Sequence, residues 1–279
     1  MTGDCSLRLF LGNGLTAKPS SAAEQQRLIP LVVSLLAMYI ALGCVRVARA
    51  EDPGNPSADT ALVQSLFIAE AFNIQDRSEV QLTVGTSLFR GRGVRAAGGS
   101  TGMEYGITDR LQADFSLPFV GRYSTAETTQ HIREINFGLS YAVRREATRF
   151  AIMPQVHFSH EYGSEPGTAV KVEPGVIVAQ QLGATALHLG ASRSITSADA
   201  AYSAALVRAW RDWRGTFELS RESDGTLAVV QVAPGLIHAG RGKLREVGLG
   251  VPIGLRGDAP GWGIVARIIF EFSRDRRKR

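Results

Sequence analysis

A chain of 279 residues could hold one large or two medium domains, and no shift of composition marks a linker in its body. Lys and Arg number 31 against 26 Asp and Glu, a net charge of +5, but residues 1–50 hold five of the bases and only two of the acids. From residue 51 onward the balance is therefore 26 against 24, which excludes any nucleic-acid argument from charge. Cys5 and Cys44 are the only cysteines and both precede residue 51, so the body has no disulfide, thiol nucleophile or cysteine metal site.

Lys18 and Arg27 precede an apolar run from Leu28 to Gly43, which is short for a spanning helix and suits a secretory core. Ala48-Arg49-Ala50 then gives the small-x-small pattern that signal peptidase cuts. The expectation is a cleaved leader over 1–50 and a mature chain that opens on the acidic, Pro-rich EDPGNPS. An uncleaved anchor, lipidation at Cys44 and a misplaced start codon are the alternatives. In the segment 51–77, Leu62, Leu66 and Phe67 recur at helical spacing behind Asp59 and Thr60. That predicts a short helix, in the periplasm or tucked into a barrel mouth, with an additional strand as the alternative.

From residue 78 the period changes to two. Met103, Tyr105 and Ile107 alternate with Glu104 and Gly106, and after a tight turn Leu111, Ala113, Phe115, Leu117 and Phe119 alternate with Gln112, Asp114, Ser116 and Pro118. About 10 residues of such alternation is what a tilted strand needs to cross a bilayer with a polar face toward a lumen. Strands are expected near 78–89, 94–106, 110–120, 131–143, 149–160, 169–180, 185–196, 200–210, 213–221, 226–238, 243–255 and 262–272. The fold class is thus all-β, an antiparallel up-and-down transmembrane barrel over 78–272 with about twelve strands, followed by the basic tail 273–279. Odd-numbered connections, from FRGRGVR to RGDAPGW, read as longer and richer in Gly, Ser and Thr than even ones such as ITDR and RDW, which places the odd set outside the cell.

The segments SLFIAEAFNIQDRSEVQLTVG, Ser65 to Gly85, and GITDRLQADFSLP, Gly106 to Pro118, resemble the bacterial outer-membrane family associated with the meta-pathway of phenol degradation. That family opens its mature region with a similar apolar and acidic stretch and carries a G-[IL]-T-[DN]-R-[LV] turn before a strand ending in Pro. The resemblance implies an outer-membrane barrel that passes small, often aromatic or apolar, compounds. The basic SRDRRKR after Phe272 departs from the usual aromatic finish.

Candidate chemistry is sparse. Gly98 to Gly102 matches G-x-S-x-G, but Ser100 sits inside an alternating strand and not on a strand-turn-helix elbow. GRGVRA, Gly91 to Ala96, mimics a dinucleotide fingerprint yet opens no helix. His157 and Ser159 share the inner parity while His160 shares the outer one, and no helical spacing holds the two histidines for a metal. The better candidates are inward charges: Asp114, Glu134, Lys171, Glu173, Arg214, Glu218, Arg267 and Glu271 would line the lumen, either as salt-bridge ladders or as solute contacts. The expectation is a non-enzymatic outer-membrane channel without cofactor or metal. Its partners would be outer-membrane lipid, a small-molecule solute and the barrel assembly machinery, with no nucleic acid. A lipid-acting barrel enzyme and a structural envelope protein are the competing classes.

Overall fold

The computed structural model describes residues 63–91, 94–123, 128–132, 134–145, 150–161, 170–223, 228–256 and 261–272. The expected leader and the basic tail lie outside these residues. The strands are β1 (Val80–Gly91), β2 (Val94–Gly106), β3 (Leu111–Tyr123), β4 (in three stretches, Thr128–Ile132, Glu134–Tyr141 and Val143–Arg145), β5 (Phe150–Glu161) and β6 (Lys171–Leu182). They continue as β7 (Thr185–Arg193), β8 (Ala200–Trp210), β9 (Trp213–Ser223), β10 (Ala228–Ala239), β11 (Leu244–Gly250 and Ile253–Arg256) and β12 (Trp262–Phe272). Each pairs antiparallel with its sequence neighbours, and β1 pairs with β12 from Val80 opposite Phe272 to Arg90 opposite Trp262. The sheet is closed, so the described strands leave no edge unpaired and backbone polar groups are satisfied within the wall.

The predicted period of two sets the two faces. On β1, Leu82, Val84 and Leu88 are exposed while Gln81, Thr83, Ser87 and Phe89 are buried. On β12, Ile264, Ile268 and Phe272 are exposed while Val265, Arg267, Ile269 and Glu271 are buried. Exposed aromatic side chains sit near both ends of the strands: Tyr105, Tyr141, Trp210, Trp213 and Phe272 at one, Tyr202 and Trp262 at the other. An apolar exterior with aromatic ends is what hydrocarbon and its two interfaces select.

Even connections form the tight end of the barrel. In the turn 107–110 the Thr108 hydroxyl accepts the N–H of Arg110 at 3.2 Å and of Leu111 at 3.0 Å, while Ile107 donates to the Leu111 carbonyl at 2.8 Å. Gly183 takes φ +61°, a left-handed conformation open to glycine, in the two-residue turn between β6 and β7. The opposite end carries the connections 162–170 and 194–199. Two expectations fail there: FRGRGVR is not a long loop, because β1 and β2 stay paired to Gly91 opposite Val94 and leave only 92–93 between them, and the connection expected over 121–130 shrinks to 124–127, because β3 and β4 stay paired to Tyr123 opposite Thr128. Two glycines around one residue suit a hairpin as well as a loop, and the alternation persists through Arg90 and Arg95. The break in β11 falls at Val251 and Pro252, where proline has no N–H to give the ladder.

Candidate functional site: the lumen and the segment folded into it

Residues 63–75 lie inside the wall, and 76–78 form an exposed turn before β1. The expected short helix is absent from them: its described part is irregular, and Val63, Leu66, Phe67, Ile68, Phe72 and Ile74 are all buried. The segment forms a re-entrant loop with both limbs at the tight end. Gln64 N–H donates to Glu246 on β11 at 3.1 Å, and Gln75 N–H donates to Gln112 on β3 at 2.8 Å. Gln64 Oε1 clasps the limbs, accepting from Asn73 Nδ2 at 2.8 Å and Gln75 Nε2 at 3.3 Å. The second limb leaves through Ser78, whose N–H donates to the Gly106 carbonyl at 2.7 Å before β1 begins. A helix would satisfy its own amides, whereas this loop hands them to side chains of the wall.

The apex rests on Glu218, a fully buried carboxylate in the middle of β9. Its Oε2 accepts the N–H groups of Phe67, Ile68 and Ala69 at 2.8, 2.7 and 3.0 Å, and Thr216 donates its hydroxyl to Oε1 at 3.0 Å. Three convergent amides are the arrangement a backbone uses to bind an anion. Further anchors are Phe72 N–H to His188 Nδ1 at 3.0 Å, Gln155 Nε2 to Glu70 Oε2 at 2.8 Å, and a contact from Arg267 Nη1 to Ser65 Oγ. Gln75 also donates to Gln81 at 2.7 Å and to Glu104 at 3.2 Å, which Gln112 contacts at 3.0 Å.

Packing fixes the loop as firmly as polarity does. The Phe67 ring lies in a niche floored by Gly235, Gly248 and Gly250, where a Cβ on any of the three would meet ring carbons. Arg267 Cζ stands 5.5 Å from the ring centroid, within cation–π range. Phe72 and Ile74 pack with Ala142, Ala151, Met153, Ile177 and Ala179 of β4 to β6. Val63, Leu66 and Phe67 join inward Ala186, Ala205, Val207 and Ile237. The loop thus fills part of the lumen with apolar contacts beside its polar anchors. Two small spaces of about 10 Å³ each border the loop, the first between Glu70 and the serines Ser192, Ser203 and Ser220, the second beside Phe67 and Arg267.

The sequence-predicted charges divide into groups. Glu218 and Arg267 hold the loop directly. Arg214 stands 3.9 Å from Glu246, another of the loop's carboxylate anchors. Glu271 pairs with Arg245 at the tight end. Asp114 and Glu173 face inward on β3 and β6, both buried, and Lys171 pairs with Asp199 at 3.2 Å. The side chain of Glu134 lies outside the described residues. Sequence reasoning missed Glu104, Glu246 and His188, although their inner parity was legible, and it missed the loop because inward Ala, Val and Ile carry no chemistry. The signal was present in runs such as VIVA on β6, where both parities are apolar because both faces are covered. His157 and Ser159 face inward on β5, and Ser100 lies within β2 with no helix after it, so the strand-turn-helix elbow of a hydrolase serine is not formed there.

No protein-family model matches the chain, and the search of curated proteins found no match. Solved structures do resemble it. The COG4313 outer membrane channel from Pseudomonas putida F1 superposes with a TM-score of 0.53 at 14% identity, over 80% of this chain and all of that one. The KdgM porin superposes with a TM-score of 0.52 at 8% identity, over 70% of this chain and 99% of that one. At such identity the likeness speaks to architecture, and with the apolar exterior it makes this chain a twelve-stranded barrel of the bacterial outer-membrane type.

Proposed function

We propose that the protein is an outer-membrane channel through which small solutes diffuse, with the loop 63–75 narrowing its lumen. One observation carries this reading: a closed barrel that is apolar outside and polar along its inward rows encloses a path that lipid cannot fill. On this reading the leader 1–50 is removed on export, the assembly machinery inserts the barrel, the tight end faces the periplasm and no bond is made or broken. The resemblance to the phenol meta-pathway family implies aromatic or apolar solutes. Inward Gln, Thr, Ser, Asp and Glu favour those among them that carry a charge or a hydrogen-bonding group. Of the candidate lining residues, Glu218, Arg214, Arg267 and Glu271 belong to the loop and the tight end, which leaves Asp114, Glu134, Lys171 and Glu173 to meet a solute. Twelve strands lie between the solid packing of about eight and the open pores of about 16, in keeping with a narrow passage. Liposomes containing the purified protein should swell in small solutes, with a rate that falls steeply with solute size. Swelling no faster than in protein-free liposomes, for every solute tried, would remove the channel reading.

A further inference from the structure

Among the described residues, the outward rows of β7 to β12 and of β1 carry no Asp or Glu. At the end away from the tight turns they carry four exposed bases, all arginine: Arg193 on β7, Arg221 on β9, Arg256 on β11 and Arg90 on β1. Register puts them on the outer face. Arg221 follows the exposed Leu219 at an interval of two and lies between Tyr202 of β8 and Val230 of β10. A bulge at Leu255 sets Arg256 opposite the same Val230. Arg193 follows the exposed Leu189 by four residues, and Arg90 follows the exposed Leu88 by two, opposite Trp262 of β12.

Depth follows from the two aromatic neighbours. Tyr202 and Trp262 are 53% and 47% exposed on an apolar wall, and rings of this kind settle at the level of lipid headgroups. Arg221 and Arg90, opposite them on the next strands, therefore stand at headgroup depth. A guanidinium there offers a planar fork that grips two phosphate oxygens at once. Arg221 and Arg256 are two strands apart, roughly 10 Å, so each fork can take its own phosphate.

The opposite rim is built differently. Its outward bases are engaged by protein: Arg208 donates to Thr185 Oγ1 at 3.1 Å, Arg245 pairs with Glu271, and Lys243 Nζ lies 5.6 Å from the Phe272 ring centroid. Its turns mix the two signs, as in Asp76-Arg77, Asp109-Arg110 and Arg211-Asp212. Only the rim of Arg90, Arg193, Arg221 and Arg256 presents a row of one sign to lipid.

We propose that this arginine row binds the phosphates of the glycolipid that forms the outer leaflet, through its lipid A head. Placement in the outer leaflet rests on the orientation given with the channel reading, tight end to the periplasm, whereas the phosphate contact does not depend on conduction.

The folded protein in detergent should bind bisphosphorylated lipid A, read by native mass spectrometry, at least tenfold more tightly than dephosphorylated lipid A or phosphatidylglycerol. Arg221→Gln combined with Arg256→Gln should lose at least tenfold in lipid A binding, while folded mobility on gels and conductance in planar bilayers stay those of the parent. Arg208→Gln, at the other rim, should bind lipid A as the parent does. Equal binding of the dephosphorylated lipid, or equal binding by the double variant, overturns the site. Phosphatidylglycerol held as tightly as lipid A overturns the glycolipid as its ligand, and a loss confined to Arg208→Gln moves lipid binding to the opposite rim and overturns the assignment. Lipid A binding by a protein that does not conduct would leave the arginine row standing and remove the channel, whereas conductance without lipid A binding would do the reverse.

Discussion

The Ile68 amide donates to Oε2 of Glu218 at 2.7 Å, joining residues 150 positions apart at the centre of the barrel. With Phe67 and Ala69 donating to the same oxygen, one carboxylate on the wall holds the turn of the re-entrant loop. A buried charge is costly unless it is fully hydrogen-bonded, so the loop and Glu218 each require the other.

Replacing Glu218 should free the apex. Glu218→Ala leaves three amides without an acceptor, at about 1–3 kcal/mol for each buried donor so orphaned. The loop should then open to chymotrypsin at Phe67 and Phe72 while the barrel stays folded on gels. Equal resistance in parent and variant would contradict the anchoring role.

The glycine niche predicts a coupled pair. Phe67→Ala should cost about 3–5 kcal/mol in urea unfolding, the range for a buried Phe. Gly250→Ala should also destabilise, because its Cβ collides with the Phe67 ring. In the Phe67→Ala background the Gly250→Ala penalty should vanish, and additive costs would show that the ring is not what Gly250 accommodates.

Exterior and interior should respond differently to the same charge. Phe115 projects outward from β3 and is exposed, so Phe115→Arg should weaken membrane folding by about 2–4 kcal/mol if it sits near the bilayer midplane. Ser116→Arg, one residue on and facing the lumen, should be milder. Similar losses would refute the assignment of faces.

A titration is expected where the loop joins β1. Burial, with the Glu271 carboxyl alongside, pushes Glu79 from 4.5 up to about 7. The folded state therefore holds a proton that the unfolded state releases, so this contribution is complete below pH 4.5 and is lost as pH rises through about 7. Melting temperature in detergent should fall between pH 5 and 8 in the parent and fall less in Glu79→Gln. The same slope in both proteins would assign it to other groups.

The barrel was legible in the sequence because alternation is a local signal: Val80-Leu82-Val84 and Ile264-Ala266-Ile268 each report their own face. The strand positions followed from it, as did the inward parity of Glu218 and Arg267. The loop was not legible in the same way. Leu62, Leu66 and Phe67 happen to fall at helical spacing, and the true partners of Phe67, which are Glu218, Gly235 and Gly250, are more than a hundred residues away. Local periodicity carries no information about such pairs. The approach of Asp114 to His157 depends on Gly138, a residue whose contribution is the absence of a side chain.

The central claim is a diffusion path narrowed by a loop anchored on Glu218 and Phe67, and single-channel conductance in planar bilayers tests it most directly. The parent should conduct in small steps, and Glu218→Ala and Phe67→Ala should each raise the step several-fold by releasing the loop from the lumen. Conductance that is measurable in the parent and unchanged in both variants, with the loop shown by chymotrypsin cleavage in Glu218→Ala to be free, would contradict the account.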